Sequence, residues 1–191
     1  VYQGLPHIRR RHAEIRSIAP QHHSHRMKKA HWVTICLPPD AIDDVEAAIT
    51  RALTPFEMHR GFPERDMWDT WRIQGGGEAA GFYVRPGYED DPRLIHDGPN
   101  QFGIVLPPKR GECAGGPKAL LNVAIHNLSW PDVLTLDGWW VESSGVCRHK
   151  DRDKNTSCED EPGCPIPSGG IEKYLETLPE DTVLVRVYCH G

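Results

Sequence analysis

Three cysteines fall in one polar stretch, Cys147-x10-Cys158-x5-Cys164, with His149 two residues after the first. Thiolate and imidazole are the ligands that zinc takes, and four of them close a structural site. Cys113 is a further thiol that the fold could bring near. The spacing lacks the Cys-x2-Cys pair that marks most zinc sites. Free thiols in a loop, or a disulfide, therefore stand beside zinc as readings of the same residues.

A second set is Asp69, His126 and His190. One carboxylate and two imidazoles can hold a transition metal with open coordination positions, which is the basis of metal-dependent hydrolysis of a phosphoester or nucleotide. The plain reading is that Asp69 caps a turn, His126 is an ordinary sheet histidine and His190 a frayed end. His31 and His126 are each followed three residues later by a hydroxyl, Thr34 and Ser129. Paired His-x-Thr/Ser motifs of two-histidine phosphoesterases need a spacing of two, so that both groups face one side of a strand. Here the hydroxyl would point away.

The third set is aromatic. Met67-Trp68-Asp69-Thr70-Trp71-Arg72-Ile73-Gln74-Gly75-Gly76-Gly77 places two tryptophans three residues apart and glycines behind them. Trp68 and Trp71, with Arg186 and Tyr188, are the candidate binding residues: aromatic faces can stack on a base or sugar. Core packing is the alternative for the tryptophans. The glycine run lacks the Lys-Ser/Thr of a phosphate-binding loop.

Regular elements must position these groups. Residues 31–37 read as a strand stopped by Pro38-Pro39. Ile42, Val45, Ile49, Ala52 and Leu53 recur at helical spacing, with Asp40 as the expected cap and Pro55 as the stop. Residues 119–127 and 132–142 alternate as strands. Ile171, Tyr174, Leu175 and Leu178 mark an amphipathic helix, and residues 182–189 a last strand. The order predicts an α+β fold, a ferredoxin-like βαββαβ sandwich with a long insertion, residues 56–118, after the first helix. Alternation puts Val33, Ile35, Leu37, Val183, Val185 and Val187 on the helix-covered face. Trp32, Thr34, Cys36, His126, Arg186, Tyr188 and His190 fall on the other, which the insertion is expected to cover through its tryptophans.

The 191 residues are 38% hydrophobic and 26% charged, enough for one α+β domain over residues 30–191. Residues 1–29 carry seven Lys/Arg against Glu14, a net +6, and five histidines. The whole chain is −5, so the rest is −11. The basic arm, without an apolar face, reads as a disordered extension, or as residues preceding a start at Met27. Removing residues 1–26 should leave the melting temperature nearly unchanged. An acidic body disfavours nonspecific nucleic-acid binding, which only the arm could support. No apolar run spans a membrane and no secretory signal is readable, which points to the cytoplasm of a host cell.

Trp68-Asp69-Thr70-Trp71-Arg72-Ile73-Gln74-Gly75-Gly76, Gly138-Trp139-Trp140, Leu178-Pro179-Glu180-Asp181 and Cys189-His190, in that order, resemble a family of small uncharacterised proteins from phages of actinobacteria. In that family a tryptophan-acid-aromatic stretch runs into Ile-Gly-Gly. Here Gln74 intervenes, Gly77-Glu78 stands where the family has Arg-Trp, and Tyr188 stands where it has an acid. The resemblance implies a phage-type accessory protein and no mechanism. The residues point to binding of a host protein or small ligand, with metal-dependent hydrolysis on the uncovered sheet face as the alternative. Zinc is the one cofactor they support.

Overall fold

A computed structural model describes residues 30–58, 61, 65–75, 81–100, 102–123, 131–166 and 170–191. The basic arm and His126 lie outside them. The fold is built on β1 (Ala30–Leu37) and β11 (Val183–His190), which pair antiparallel along their whole lengths, Ala30 opposite His190 through Leu37 opposite Val183. Both are rich in β-branched residues, and both bury the stretch where they lie centrally in the sheet, Val33–Leu37 and Val183–Val187, while the Ala30–Trp32 end is more open.

Pro38 and Pro39 end β1 in a single 3-10 turn. Helix α1 (Val45–Leu53) follows, and its cap is Asp44, not Asp40: the Asp44 carboxylate accepts from the Ala47 backbone N–H at 3.1 Å. The extra turn uses up the residues between the prolines and the helix.

Residues 56–118 supply strands to both sheets. β2 (Thr70–Ile73) and β5 (Gly115–Pro117) share the free edge of β11, pairing with residues 187–190 and 183–185. At Gly115 a Cβ would stand 2.1 Å from the Leu184 carbonyl oxygen, so only glycine allows that approach. β3 (Phe82–Val84), β4 (Glu112–Cys113) and β6 (Leu121–Asn122) form a separate three-stranded sheet in the order β4-β3-β6.

On the other edge, β7 (Asp132–Leu134) runs parallel to β1. It is followed by β8 (Trp139–Val141), β9 (Val146–His149) and β10 (Thr156–Ser157), all antiparallel to their neighbours. The large sheet has eight strands in the order β10-β9-β8-β7-β1-β11-β2, with β5 on β11. The α+β class holds. A ferredoxin-like βαββαβ sheet is antiparallel throughout and would flank β1 with antiparallel strands on both sides; β11 is antiparallel to it, but β7 is parallel. The remaining strand expected beside them differs too. The strand expected over residues 119–127 is confined, among the described residues, to Leu121–Asn122 in the small sheet. The segment 132–142 turns at Asp137-Gly138, where Gly138 has φ +91°, and becomes a hairpin.

The two helices lie on opposite faces of the large sheet. α1 packs Ala48, Ile49 and Leu53 on Val33, Ile35, Leu37, Val183, Val185 and Val187. α2 (Gly170–Thr177) packs Ile171 and Leu175 on Cys36, Val133, Val141 and Leu184, beside Phe82, Val84 and Leu121 of the small sheet. The second face is thus covered by α2 and the insertion's small sheet, and the tryptophans do not cover it. Trp68 sits in the α1 core and donates its Nε1–H to the Leu53 carbonyl at 2.9 Å, and Trp71 is half-buried against the same cluster. Alternation explains this: Trp71 and Ile73 of β2 face the α1 side, whereas Thr70 and Arg72 face the other.

Lys118 closes the C-terminus of α2. Its buried ammonium donates to the carbonyls of Glu176 and Leu178, both at 2.6 Å, and pairs with Glu180 at 3.4 Å. Lys118→Met should leave those carbonyls without donors and lower unfolding free energy by about 1–3 kcal/mol, measured by urea denaturation.

Among the described residues, no helix is long and apolar enough to cross a membrane.

Candidate metal centre

The sheet edge assembles the cysteines. Cys147 lies in β9 between Val141 of β8 and Thr156 of β10, with its side chain fully buried. Cys158 directly follows β10, and its N–H donates to the Gly145 carbonyl at 2.9 Å, fixing it over the β9 turn. Cys164 ends a turn in which its N–H donates to the Glu161 carbonyl at 3.0 Å. The Glu161 carboxylate accepts from the Gly163 N–H at 3.1 Å and pairs with Arg152, whose guanidinium lies over the Trp139 ring at 5.0 Å. These contacts fold residues 158–164 back onto the sheet.

As a result the sulfurs of Cys147, Cys158 and Cys164 all lie within 4.8 Å of one another. A tetrahedral zinc with Zn–S bonds near 2.3 Å requires sulfurs roughly 3.8 Å apart. The three side chains therefore need to close by about 1 Å or less, within reach of small χ1 adjustments.

His149 does not join them. It is two residues along β9 from Cys147, about 6.7 Å at the strand rise. Its Nε2–H donates to the Asp137 carbonyl at 3.1 Å, and its Nδ1 accepts from the Asp151 N–H at 3.2 Å. Cys113 is buried in β4 opposite Phe82, also outside the group. Among the described residues, the close set is three thiols with no fourth protein ligand. A cavity of about 960 Å³ opens against Cys158 and Cys164, lined also by Glu159, Glu161, Ile166 and Ile171.

Burial keeps the thiols of Cys147 and Cys158 protonated when no metal is bound. It is the main force that pushes Cys158 up to about 11, the neighbouring Cys164 adding to it, and it raises Cys147 as well. Metal binding must displace those protons, so affinity should rise with pH. In metal-free protein the sign is fixed. A thiol whose folded pKa is raised contributes fully below its ordinary 9.0 and loses that contribution as pH climbs towards 11. The stability difference between wild type and Cys158→Ser, measured in chelator, should shift against the wild type over that window.

The other candidates fall elsewhere. Asp69 Oδ1 lies 3.2 Å from His190 Nδ1 at a partly exposed position. The cleft beside them, about 490 Å³, is lined by Thr70, Arg72, Pro99, Tyr188 and His190. Tyr188 lies between Trp32, 5.1 Å away edge-on, and the Arg72 guanidinium, 4.4 Å over its ring. Arg186 is buried, its guanidinium over the Phe82 ring at 5.2 Å, and it is not among the residues lining the cleft.

One polar network has no counterpart in the sequence reading. Asp132 Oδ2 meets His31 Nδ1 and accepts from Trp140 Nε1, each at 3.0 Å, and Oδ1 accepts from the Ser143 N–H at 3.1 Å. The parallel register of β1 and β7 brings these residues together, and parallel pairing of distant segments leaves no local spacing signal.

No protein-family model matches the chain, and no curated protein or solved structure matches it either.

Proposed function

We propose that this protein holds a zinc ion through Cys147, Cys158 and Cys164 and binds a small ligand at the ion's fourth position. The observation that carries this reading is the convergence of three sulfurs within 4.8 Å beside a cavity. Three thiolates are a soft donor set, suited to zinc. A purely structural zinc site is closed by four protein ligands, whereas a site that exchanges ligands keeps one position open. A donor atom entering from the cavity would complete the tetrahedron, with Glu159 and Glu161 at its rim and Ile166 and Ile171 beneath.

Cobalt(II) substitution tests both halves. Thiolate-to-cobalt charge-transfer bands are expected on loading. Their ligand-field pattern should change when imidazole or a small thiol is added, because an exogenous donor can enter. A tetrahedral cobalt spectrum indifferent to added donors would mean that the fourth position is already closed, and the ligand-binding reading would fail.

A further inference from the structure

Four side chains share one face where β2 pairs with the end of β11. Tyr188 stands opposite Arg72 and His190 opposite Thr70, and strand alternation turns all four away from α1. With Pro99 and Asn100 of the insertion they line the cleft of about 490 Å³. Among the described residues its lining holds a guanidinium and an imidazole and no carboxylate, in a chain of net charge −5. The local charge thus runs against that of the whole chain and suits an anion.

The polar groups of the cleft are each held from behind. Arg72 donates its Nε–H to Gln74 Oε1 at 2.8 Å, and its guanidinium lies over the Tyr188 ring at 4.4 Å. These two contacts fix the guanidinium plane and, among the described residues, leave its two terminal nitrogens for a ligand. His190 Nδ1 lies 3.2 Å from Asp69 Oδ1, which orients the ring so that Nε2 points away from that carboxylate. Asn100 Oδ1 accepts from the N–H groups of Phe102 and Ile104, at 2.9 and 3.0 Å, so the amide presents its NH2 to other partners.

We propose that this cleft binds the phosphate monoester group of a small molecule. The Arg72 fork matches two phosphate oxygens, and His190 Nε2 and the Asn100 amide take the third. A carboxylate has only the two oxygens that a guanidinium satisfies, and would leave His190 and Asn100 unused. Pro99 and the edge of Tyr188 supply apolar surface for the organic part of the ester. The proposal uses none of the cysteines and stands independently of the zinc reading.

The test is titration calorimetry of the full chain with phenyl phosphate, at constant ionic strength set with sodium chloride, with benzoate and phenol as comparisons. Saturable binding of phenyl phosphate is expected, with benzoate at least about tenfold weaker and phenol without effect. His190→Ala should weaken phenyl phosphate about tenfold, the loss of one charge-assisted hydrogen bond. Arg72→Met should abolish binding with little change in melting temperature, because the side chain is only partly buried at the sheet edge. Arg110→Met removes an exposed arginine outside the cleft and should bind like the wild type. The proposal is overturned if the wild type shows no saturable binding of phenyl phosphate, if benzoate binds as tightly, or if Arg72→Met or His190→Ala keeps wild-type affinity. Should Arg72→Met fail to fold, Arg72→Lys decides: it keeps the charge without the fork, so affinity should fall about tenfold, and an unchanged affinity overturns the proposal.

Discussion

Trp140→Ala is expected to destabilise the protein by about 5 kcal/mol, close to the whole stability of a marginal domain. Among the described residues Trp140 is the largest fully buried side chain, and it joins β8 to the α1 core. Its ring lies 5.4 Å from Phe56 and 6.3 Å, edge-on, from His31. Truncating a buried tryptophan to alanine costs about 3–5 kcal/mol through lost contacts and an unfilled cavity. The Nε1–H also donates to Asp132, and losing a hydrogen bond to a buried carboxylate adds about 1.5–3 kcal/mol. Trp140→Phe separates the two, since it keeps most of the ring and loses only the donor. Guanidinium denaturation of both variants gives the comparison. A loss under about 2 kcal/mol for Trp140→Ala would mean that the site repacks and that Asp132 finds another donor.

Stripping the proposed zinc is the second large expected effect. Zinc that binds only the folded chain stabilises it by mass action, about 4 kcal/mol when free zinc is a thousand times its dissociation constant. For a chain of this size each kcal/mol moves the melting temperature by about 2–4 °C. Chelation should therefore lower it by roughly 8–16 °C, and added zinc should restore it. In Cys147→Ser the chelator should make no difference. The β9–β10 hairpin and the turn through Cys164 should loosen first, which hydrogen exchange at the Cys158 and Cys164 amides would report.

Much of the central sheet was legible from period-two alternation. Val33, Ile35 and Leu37 do share a buried face with Val183, Val185 and Val187, and Thr34 and Arg186 do point the other way. The amphipathic segments became α1 and α2. Alternation and helical period say which side of an element is apolar, but not which face of a sheet receives it. That is why α2 was expected beside α1 and instead covers the opposite face. Two-residue strands such as β10 and β6 carry no measurable period, so the extra sheet edge and the small sheet were invisible. Trp68 went to the α1 core because its indole N–H meets the free carbonyl of Leu53 at the end of that helix, a long-range match that spacing does not encode.

The candidate site was legible in residue types and not in distances. Cys147, Cys158 and Cys164 are far apart in the chain for a zinc motif, and it is the β9–β10 pairing and the Glu161–Gly163 turn that bring them together. His149 looked close to Cys147 in sequence, yet extended backbone carries it most of two strand steps away, and its ring is held by Asp137 and Asp151. The cleft between Arg72 and His190 depends on the pairing of β2 with β11, which no reading of the two segments separately could reveal.

The zinc reading is tested most directly by elemental analysis of protein purified without a histidine tag. The wild type should carry one zinc per chain, and Cys147→Ser, Cys158→Ser and Cys164→Ser should each carry far less, while His149→Ala should keep it. A wild type that holds no stoichiometric metal, and takes up none when titrated with zinc under reducing conditions, would contradict the account.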